Sequence, residues 1–274
     1  MLELCEKSAV ELRRMMGSKD ISPVELLEGC ISRIEAVDGN LNAIVTKAFD
    51  KAIDQAKKAE EAILAGEFLG FLHGLPVGIK DLENTSGIRT TFGSNIYKEN
   101  IPTEDQSSVT KIKQAGGIII GKTNTPEFGA GANTRNFVFG ATGNPFDPDK
   151  TCGGSSGGSA VALATNMVPL ASGSDYGGSL RTPAAFCGIV GFRPSAGLVA
   201  TEQRPVGLLP FSVLGPMARN VDDVFLLLKA QAGSNPCDPF SLSGQKDLSL
   251  ELEMADLSSK KVLISKDLDG APLS

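Results

Sequence analysis

An α/β fold is predicted by two observations. Helical patterns alternate with short apolar strands along most of the 274 residues, which favours helices layered on a sheet. Glycine is plentiful, at 31 residues, so tight turns and close backbone approaches punctuate these elements. A composition of 41% apolar and 21% charged residues supports a packed core and argues against global disorder. No internal repeat and no convincing linker divides the chain, so residues 1–274 read as one domain.

The first firm element is SPVELLEGCISRIEAVDG. Ser22 is placed to cap a helix, Pro23 suits its first position, and Glu25 completes a capping box. Leu27, Ile31 and Ile34 form one apolar stripe, and Asp38-Gly39 stops it. A short strand is expected over Leu41–Val45. An alanine-rich helix follows over Ala48–Ala65, closed by Gly66. Leu75–Lys80 reads as a buried strand, Ser107–Ala115 as a helix and Gly117–Gly121 as a strand. Ser156–Asn166 is a small-residue helix leading into a strand at Met167–Ala171, and another strand is expected at Ile189–Phe192. Asn220 caps a helix over Val221–Ala230, with Asp222 and Asp223 near its positive end. Lys261–Ser265 (KVLIS) has the pattern of a final strand. The sequence stops soon after it, which reads as a boundary inside a domain.

A net charge of −6 leaves no broad cationic surface to neutralise phosphates, so no nucleic-acid partner is expected. The five cysteines (Cys5, Cys30, Cys152, Cys187, Cys237) are scattered, without a CxxC. That pattern fits reduced thiols in a cytoplasmic protein better than a disulfide framework. The start, MLELCEKSAVELRRMM, is charged throughout and lacks the apolar core of a signal peptide. No apolar run is long enough to span a bilayer. No His/Cys/Asp cluster has ligand spacing, so neither metal nor cofactor is expected.

Chemistry concentrates in three segments: LPVGIKD (Leu75–Asp81), TCGGSSGGSAVALA (Thr151–Ala164) and GSDYGGSLRTPAAFCG (Gly173–Gly188). A serine hydroxyl is a poor nucleophile until a base takes its proton. The sole histidine, His73, sits in a turn-like FLHGLPVG and reads as a hydrogen-bonded structural residue. Lys80 ends an apolar run. Burial would disfavour its ammonium and make it a base; the alternative is an ordinary strand-end lysine reaching back to water. GGSSGG is brief and leads directly into an apolar helix, so it resembles a rigid cap more than a flexible linker. In the third segment Thr182-Pro183 resembles a cap and a first helical position, which leaves Ser179 in the tight connection. The N–H groups of Gly177, Gly178 and Ser179 could then form an anion-binding nest. One decoy is GGIIIGKT (Gly116–Thr123), which matches the phosphate-loop pattern. Its Ile118–Ile120 positions read as a strand, so nucleotide binding is not expected.

Together, LPVGIKD, GKTNTPEFGAGANTRN, FGATGNP, GGSSGGSAVALA, GSDYGGSLRTPAAFCGIVGFRPS and GPMARNVDD resemble the amidase signature family over nearly the whole chain. The resemblance implies a twisted, mixed central sheet covered by helices on both faces. It also implies truncation on the C-terminal side, because family members continue past a KVLIS-like strand. A Ser–Ser–Lys triad follows from it: Ser179 as nucleophile, Ser155 after a cis peptide bond as the bridge, and neutral Lys80 as the base. The N–H groups of Tyr176, Gly177, Gly178 and Ser179 would hold the oxyanion. Asp175 and Arg181 would pair to fix the nucleophile loop, and Phe128, Gly129 and Ala130 would approach the acyl side of the substrate. Cys152 reads as a packing residue.

The implied activity is hydrolysis of a small carboxamide through a serine acyl-enzyme. The alternative is the A subunit of a glutamine-dependent tRNA amidotransferase, which uses the same triad to release ammonia. That protein usually reads closer to NMDEF, DTGGSIRQPA and KPTYG. This chain has NTPEF, SDYGGSLRTPA and FRPSAG at those places, which favours plain hydrolysis. A third reading is an inactive partial chain that needs a C-terminal partner. The expected ligand is a small amide; a second copy or a C-terminal partner chain would cover exposed apolar edges. Turnover by residues 1–274 alone is expected to be weak or absent.

Overall fold

The computed structural model describes residues 2–202, 204, 208–241, 252, 256–261 and 263–265. One six-stranded sheet forms its centre. Its members are β1 (Ile44–Lys47), β2 (Pro76–Lys80), β3 (Ile118–Thr123), β6 (Leu170–Asp175), β7 (Val190–Gly191) and β8 (Val213–Ala218). A separate two-stranded ladder joins β4 (Arg135–Asn136) and β5 (Gly140–Ala141). Across the main sheet the order is β1-β3-β2-β6-β8-β7. The central trio β3, β2 and β6 is parallel, while β1, β8 and β7 join antiparallel to their neighbours. The sheet is therefore mixed. Every residue of β2, β3 and β8 is buried, as central strands covered on both faces require.

Eight α-helices surround the sheet among the described residues: α1 (Leu2–Glu6), α2 (Ala9–Gly17), α3 (Pro23–Val37), α4 (Phe49–Ala65), α5 (Ser107–Gln114), α6 (Gly157–Ala164), α7 (Arg181–Cys187) and α8 (Val221–Gln231). Helices cover both faces. α6 packs across β2, β3, β6 and β8 with α7 beside it; α3 and α4 pair over β2 and β3, and α8 lies on β8 and β6. The Ser22 capping box starts α3, left-handed Gly66 (φ 74°) closes α4, and Asn220 caps α8 through the N–H of Asp223. α6 is made of small residues because seven of them, Gly157 to Leu163, are buried against the sheet.

Several boundaries differ from the sequence reading. β1 starts at Ile44 rather than Leu41, because the Asp38–Asn40 turn takes Leu41, and the Asp38 carboxylate accepts from the N–H of Ala43 at 2.7 Å and Ile44 at 3.1 Å. β6 starts at Leu170 rather than Met167, since the Met167 N–H still returns to the helical carbonyl of Ala162 at 2.9 Å. It then continues through Ser172 and Asp175, where β8 pairs with it. β8 itself is not predicted by the sequence, because Gly215-Pro216 interrupts its pattern. α7 begins at Arg181 with Leu180 at the N-cap, so Thr182-Pro183 lies inside the first turn instead of opening it. The short helices α1 and α2 also escape the sequence reading. Of the KVLIS strand expectation, Lys261 and Leu263–Ser265 are exposed and without strand structure, and Val262 lies outside the described residues.

Two glycines shape the sheet beside the third chemical segment. Gly173 of β6 and Gly215 of β8 are register partners. A Cβ on either would stand within 2.8 Å of a Leu180 methyl. The buried Leu180 side chain fills the hollow that they leave.

Candidate active site

The ends of β2 and β6, the turn before α6 and the β6–α7 connection converge on one cavity of about 760 Å³. Its walls include Ser155, Ser174, Ser179, Tyr176, Phe128 and Gln106. A crevice at the carboxyl ends of parallel strands is the usual place for a ligand in an open α/β sheet.

Lys80 is the last residue of β2 and has no exposed surface, so the reading as a lysine reaching water is overturned. Its Nζ lies 2.7 Å from Ser155 Oγ, 2.8 Å from Ser156 Oγ and 2.9 Å from Ser174 Oγ. No carboxylate reaches ion-pair distance of it among the described residues. Burial therefore prevails and holds the amine at about 7, against weaker opposing pulls from Glu83 and Asp175. A neutral amine has two N–H donors and one lone pair. Three hydroxyl neighbours match that set, with one hydroxyl able to donate to nitrogen.

Ser155 follows a cis Gly154–Ser155 peptide and is 2% exposed. Ser156 sits at the N-cap of α6, and its N–H donates to the Ser179 carbonyl at 3.2 Å, tying the two serine segments together. Ser179 is half-buried in the β6–α7 connection. Its hydroxyl makes no hydrogen bond among the described residues, so the structure forms the Lys80–Ser155 link and leaves Ser155–Ser179 open. Catalytic contacts are often loose without substrate and tighten on binding.

Asp175 holds the connection in shape. Its buried carboxylate accepts from the N–H of Gly178 at 2.8 Å and Leu180 at 3.1 Å. Arg181 Nε at 3.0 Å and Arg193 at 2.7 Å pair with the same group. Although burial pushes this carboxyl up, hydrogen bonds from Arg181, Leu180 and Gly178 outweigh it and hold it at about 2. One expectation changes as a result. The Gly178 N–H is committed to Asp175 and is not free for an oxyanion, which leaves those of Tyr176, Gly177 and Ser179.

Phe128, Gly129 and Ala130 line the cavity. Phe128 is held in the left-handed region (φ 52°), its N–H bonded to the Phe92 carbonyl at 2.7 Å and its ring set edge-on to Tyr97. His73 is remote: its Nε2 donates to the Ala59 carbonyl at 2.9 Å. Cys152 is fully buried, and burial pushes its thiol up to about 11. The phosphate-loop match is a strand, with Lys122 buried inside it. Sequence reasoning missed Ser156 and Ser174 as neighbours of the lysine, and Arg193 as a partner of Asp175. Ser172 and Ser174 share a strand face by their spacing of two, a signal that was legible.

The chain belongs to the amidase family: the family model described as Amidase matches residues 25–268. It is 41% identical over 275 residues to the A subunit of the glutamyl-tRNA(Gln) amidotransferase of Carboxydothermus hydrogenoformans, covering 98% of this chain and 56% of that protein. Among solved structures it resembles a bacterial aryl acylamidase of the amidase signature family (TM-score 0.84, 38% identity, 88% of this chain and 51% of that one). It also resembles the peptide amidase of Stenotrophomonas maltophilia (TM-score 0.83, 29% identity, 90% and 52%). The chain spans about half the length of the curated relatives that it matches. Among the described residues, no helix is long and apolar enough to cross a membrane.

Proposed function

We propose that the chain carries the acyl-transfer machinery of an amide-cleaving enzyme, with Ser179 as nucleophile, Ser155 as relay and Lys80 as base. Ser179 Oγ attacks the carboxamide carbon while its proton passes through Ser155 to the neutral Lys80 amine. The N–H groups of Tyr176, Gly177 and Ser179 stabilise the tetrahedral oxyanion. Collapse breaks the C–N bond, and the proton returns through Ser155 to the departing nitrogen, which leaves as amine or ammonia. Water then cleaves the ester, releasing the acid and restoring the Ser179 hydroxyl. The observation that carries this reading is the fully buried Lys80, 2.7 Å from Ser155 and without an ionic partner among the described residues.

The curated relatives are amidotransferase A subunits at 37–42% identity. They support the side-chain carboxamide of glutamine as substrate and a partner chain as the user of its ammonia. That weighs more than the motif differences which pointed to plain hydrolysis. A second reading, hydrolysis of a small uncharged amide, is favoured by the cavity itself. No charged side chain lines it among the described residues, whereas glutamine carries an ammonium and a carboxylate.

The test is ammonia release from glutamine and a panel of small carboxamides, with intact-mass detection of the acyl adduct. Ammonia and a Ser179 adduct are expected, both lost in Ser179→Ala. A glutamine preference selects the first reading, and a preference for uncharged amides selects the second. Ammonia release that survives Ser179→Ala overturns the mechanism.

A further inference from the structure

Three hydroxyls surround Lys80, and the triad uses one of them. Ser156 Oγ is committed elsewhere. It donates to the Ser174 carbonyl at 3.2 Å and accepts from the Ser174 N–H at 3.2 Å, so toward Lys80, 2.8 Å away, it can only accept. One N–H of the neutral amine is therefore spent on Ser156. The lone pair and the second N–H remain for Ser155 at 2.7 Å and Ser174 at 2.9 Å. When the lone pair faces Ser155, as base catalysis through that residue requires, the N–H faces Ser174 and makes its oxygen an acceptor. The Ser174 hydrogen then points away from the lysine. Ser174 Oγ has no hydrogen bond other than that to Lys80 among the described residues. Of the three serines Ser174 alone is partly exposed, and it lines the cavity. Its oxygen and that of Ser155 hang from one nitrogen, so they lie no farther apart than the sum of those two bonds. A free donor thus stands on the cavity wall beside the relay.

We propose that Ser174 is a second proton relay, which carries the proton of Lys80 to the departing nitrogen and takes one back from the hydrolytic water. The step rests on the Ser179–Ser155–Lys80 reading and adds an exit to it. Attack by Ser179 leaves Lys80 as an ammonium, whose three N–H groups face the three serine oxygens. As the C–N bond breaks, the Ser174 hydroxyl gives its proton to the nitrogen, and a Lys80 N–H replaces it on Ser174. Amine or ammonia departs neutral, and the Lys80 lone pair now faces Ser174. Water enters where the amine left. It loses a proton to Ser174 as it attacks the ester carbon, and Ser174 passes its own to Lys80. Lys80 then protonates Ser155, and Ser155 protonates Ser179 as the ester C–O bond breaks. Every proton is returned without the lysine nitrogen having to turn. The lone pair of a planar amide nitrogen is delocalised and accepts poorly, whereas the tetrahedral adduct offers a localised one. The Ser174 bond to nitrogen is therefore made on the way to cleavage rather than in the bound substrate, and it raises kcat.

Butyramide and 4-nitrophenyl butyrate test this. They share an acyl group, but 4-nitrophenolate leaves as an anion that needs no proton. For both, kcat/KM reads the acylation half of the reaction. Ser174→Ala should lower kcat/KM about 10²-fold for the amide and less than about threefold for the ester. Ser174→Thr keeps the hydroxyl and should recover most of the amide rate. A hydroxyl that merely holds Lys80 in place would cost both substrates alike, because both need Ser179 activated. Equal losses on amide and ester, an amide rate untouched by Ser174→Ala, or no recovery with Ser174→Thr overturns the inference while the triad stands. A wild-type chain that cleaves neither substrate overturns the triad reading and this step with it.

Discussion

Lys80 and Lys122 occupy neighbouring strands, one step apart in register, and neither exposes any surface. Burial lowers both, to about 7 and about 8. Their surroundings differ. Lys80 meets three serine hydroxyls, and Ser155 and Ser174 among them open onto the cavity. Lys122 donates to the Glu83 carbonyl, to Thr85 Oγ1 at 2.8 Å and to Thr90 Oγ1 at 3.2 Å, with the carboxylates of Asp81 and Glu83 close enough to favour its charge. Desolvation alone therefore does not make a base. On the proposed mechanism Lys80 is a base because its serine neighbours lead to the cavity, whereas the threonine hydroxyls beside Lys122 already donate to the carbonyls of Glu83 and Ile88.

The strongest way to break that contrast is Lys80→Met. It should cut kcat/KM by about 10²–10⁴-fold, the usual worth of a proton-transfer group. Wild-type activity should rise with pH through about 7, because only the neutral amine accepts a proton. A flat profile from pH 6 to 8 contradicts the assignment. Stability carries the same sign. The folded lysine titrates near 7 and the unfolded one near 10.5, so the unfolded chain holds the extra proton between those values and stability climbs with pH across that window.

Lys122→Met sharpens the comparison from the other side. It leaves two threonine hydroxyls without their donor and the Glu83 carbonyl with that of Thr85 Oγ1 alone, at about 1–3 kcal/mol in urea unfolding. The pH profile of amide cleavage should keep its midpoint. The smallest effect belongs to Glu83→Gln. This buried carboxylate accepts from Ser172 and, at 2.6 Å, from Ser108, and it favours the charged form of both lysines. Removing its charge should move the acid limb of the activity profile downward by less than about one pH unit. An upward shift would show that Glu83 does not act on Lys80 through charge.

Much of this contrast is legible in the sequence. LPVGIK predicts a buried strand ending in lysine, and β2 is one. Ser22, Glu25 and Asn220 announce their caps because capping is local. Long-range pairing is harder to read. β8 hides behind Gly215-Pro216, and the polar half of β6 does not look like a strand until β8 lies against it. Arg193 reaches Asp175 only because β7 folds back along β8, which no local spacing encodes. The commitment of the Gly178 N–H to Asp175 is equally hidden, since a glycine run shows how many donors exist but not where they point.

The hollow between Gly173 and Gly215 has a consequence for how such a site can evolve. Leu180 plugs it, and Leu180 is the next residue after Ser179, the proposed nucleophile, so the place of that hydroxyl depends on two missing side chains in the sheet beneath it. Any gain of bulk at either position would evict the plug and carry the hydroxyl with it. Changes of ligand preference are therefore expected from substitutions at the rim of the crevice, and loss of the site from substitutions at this pair.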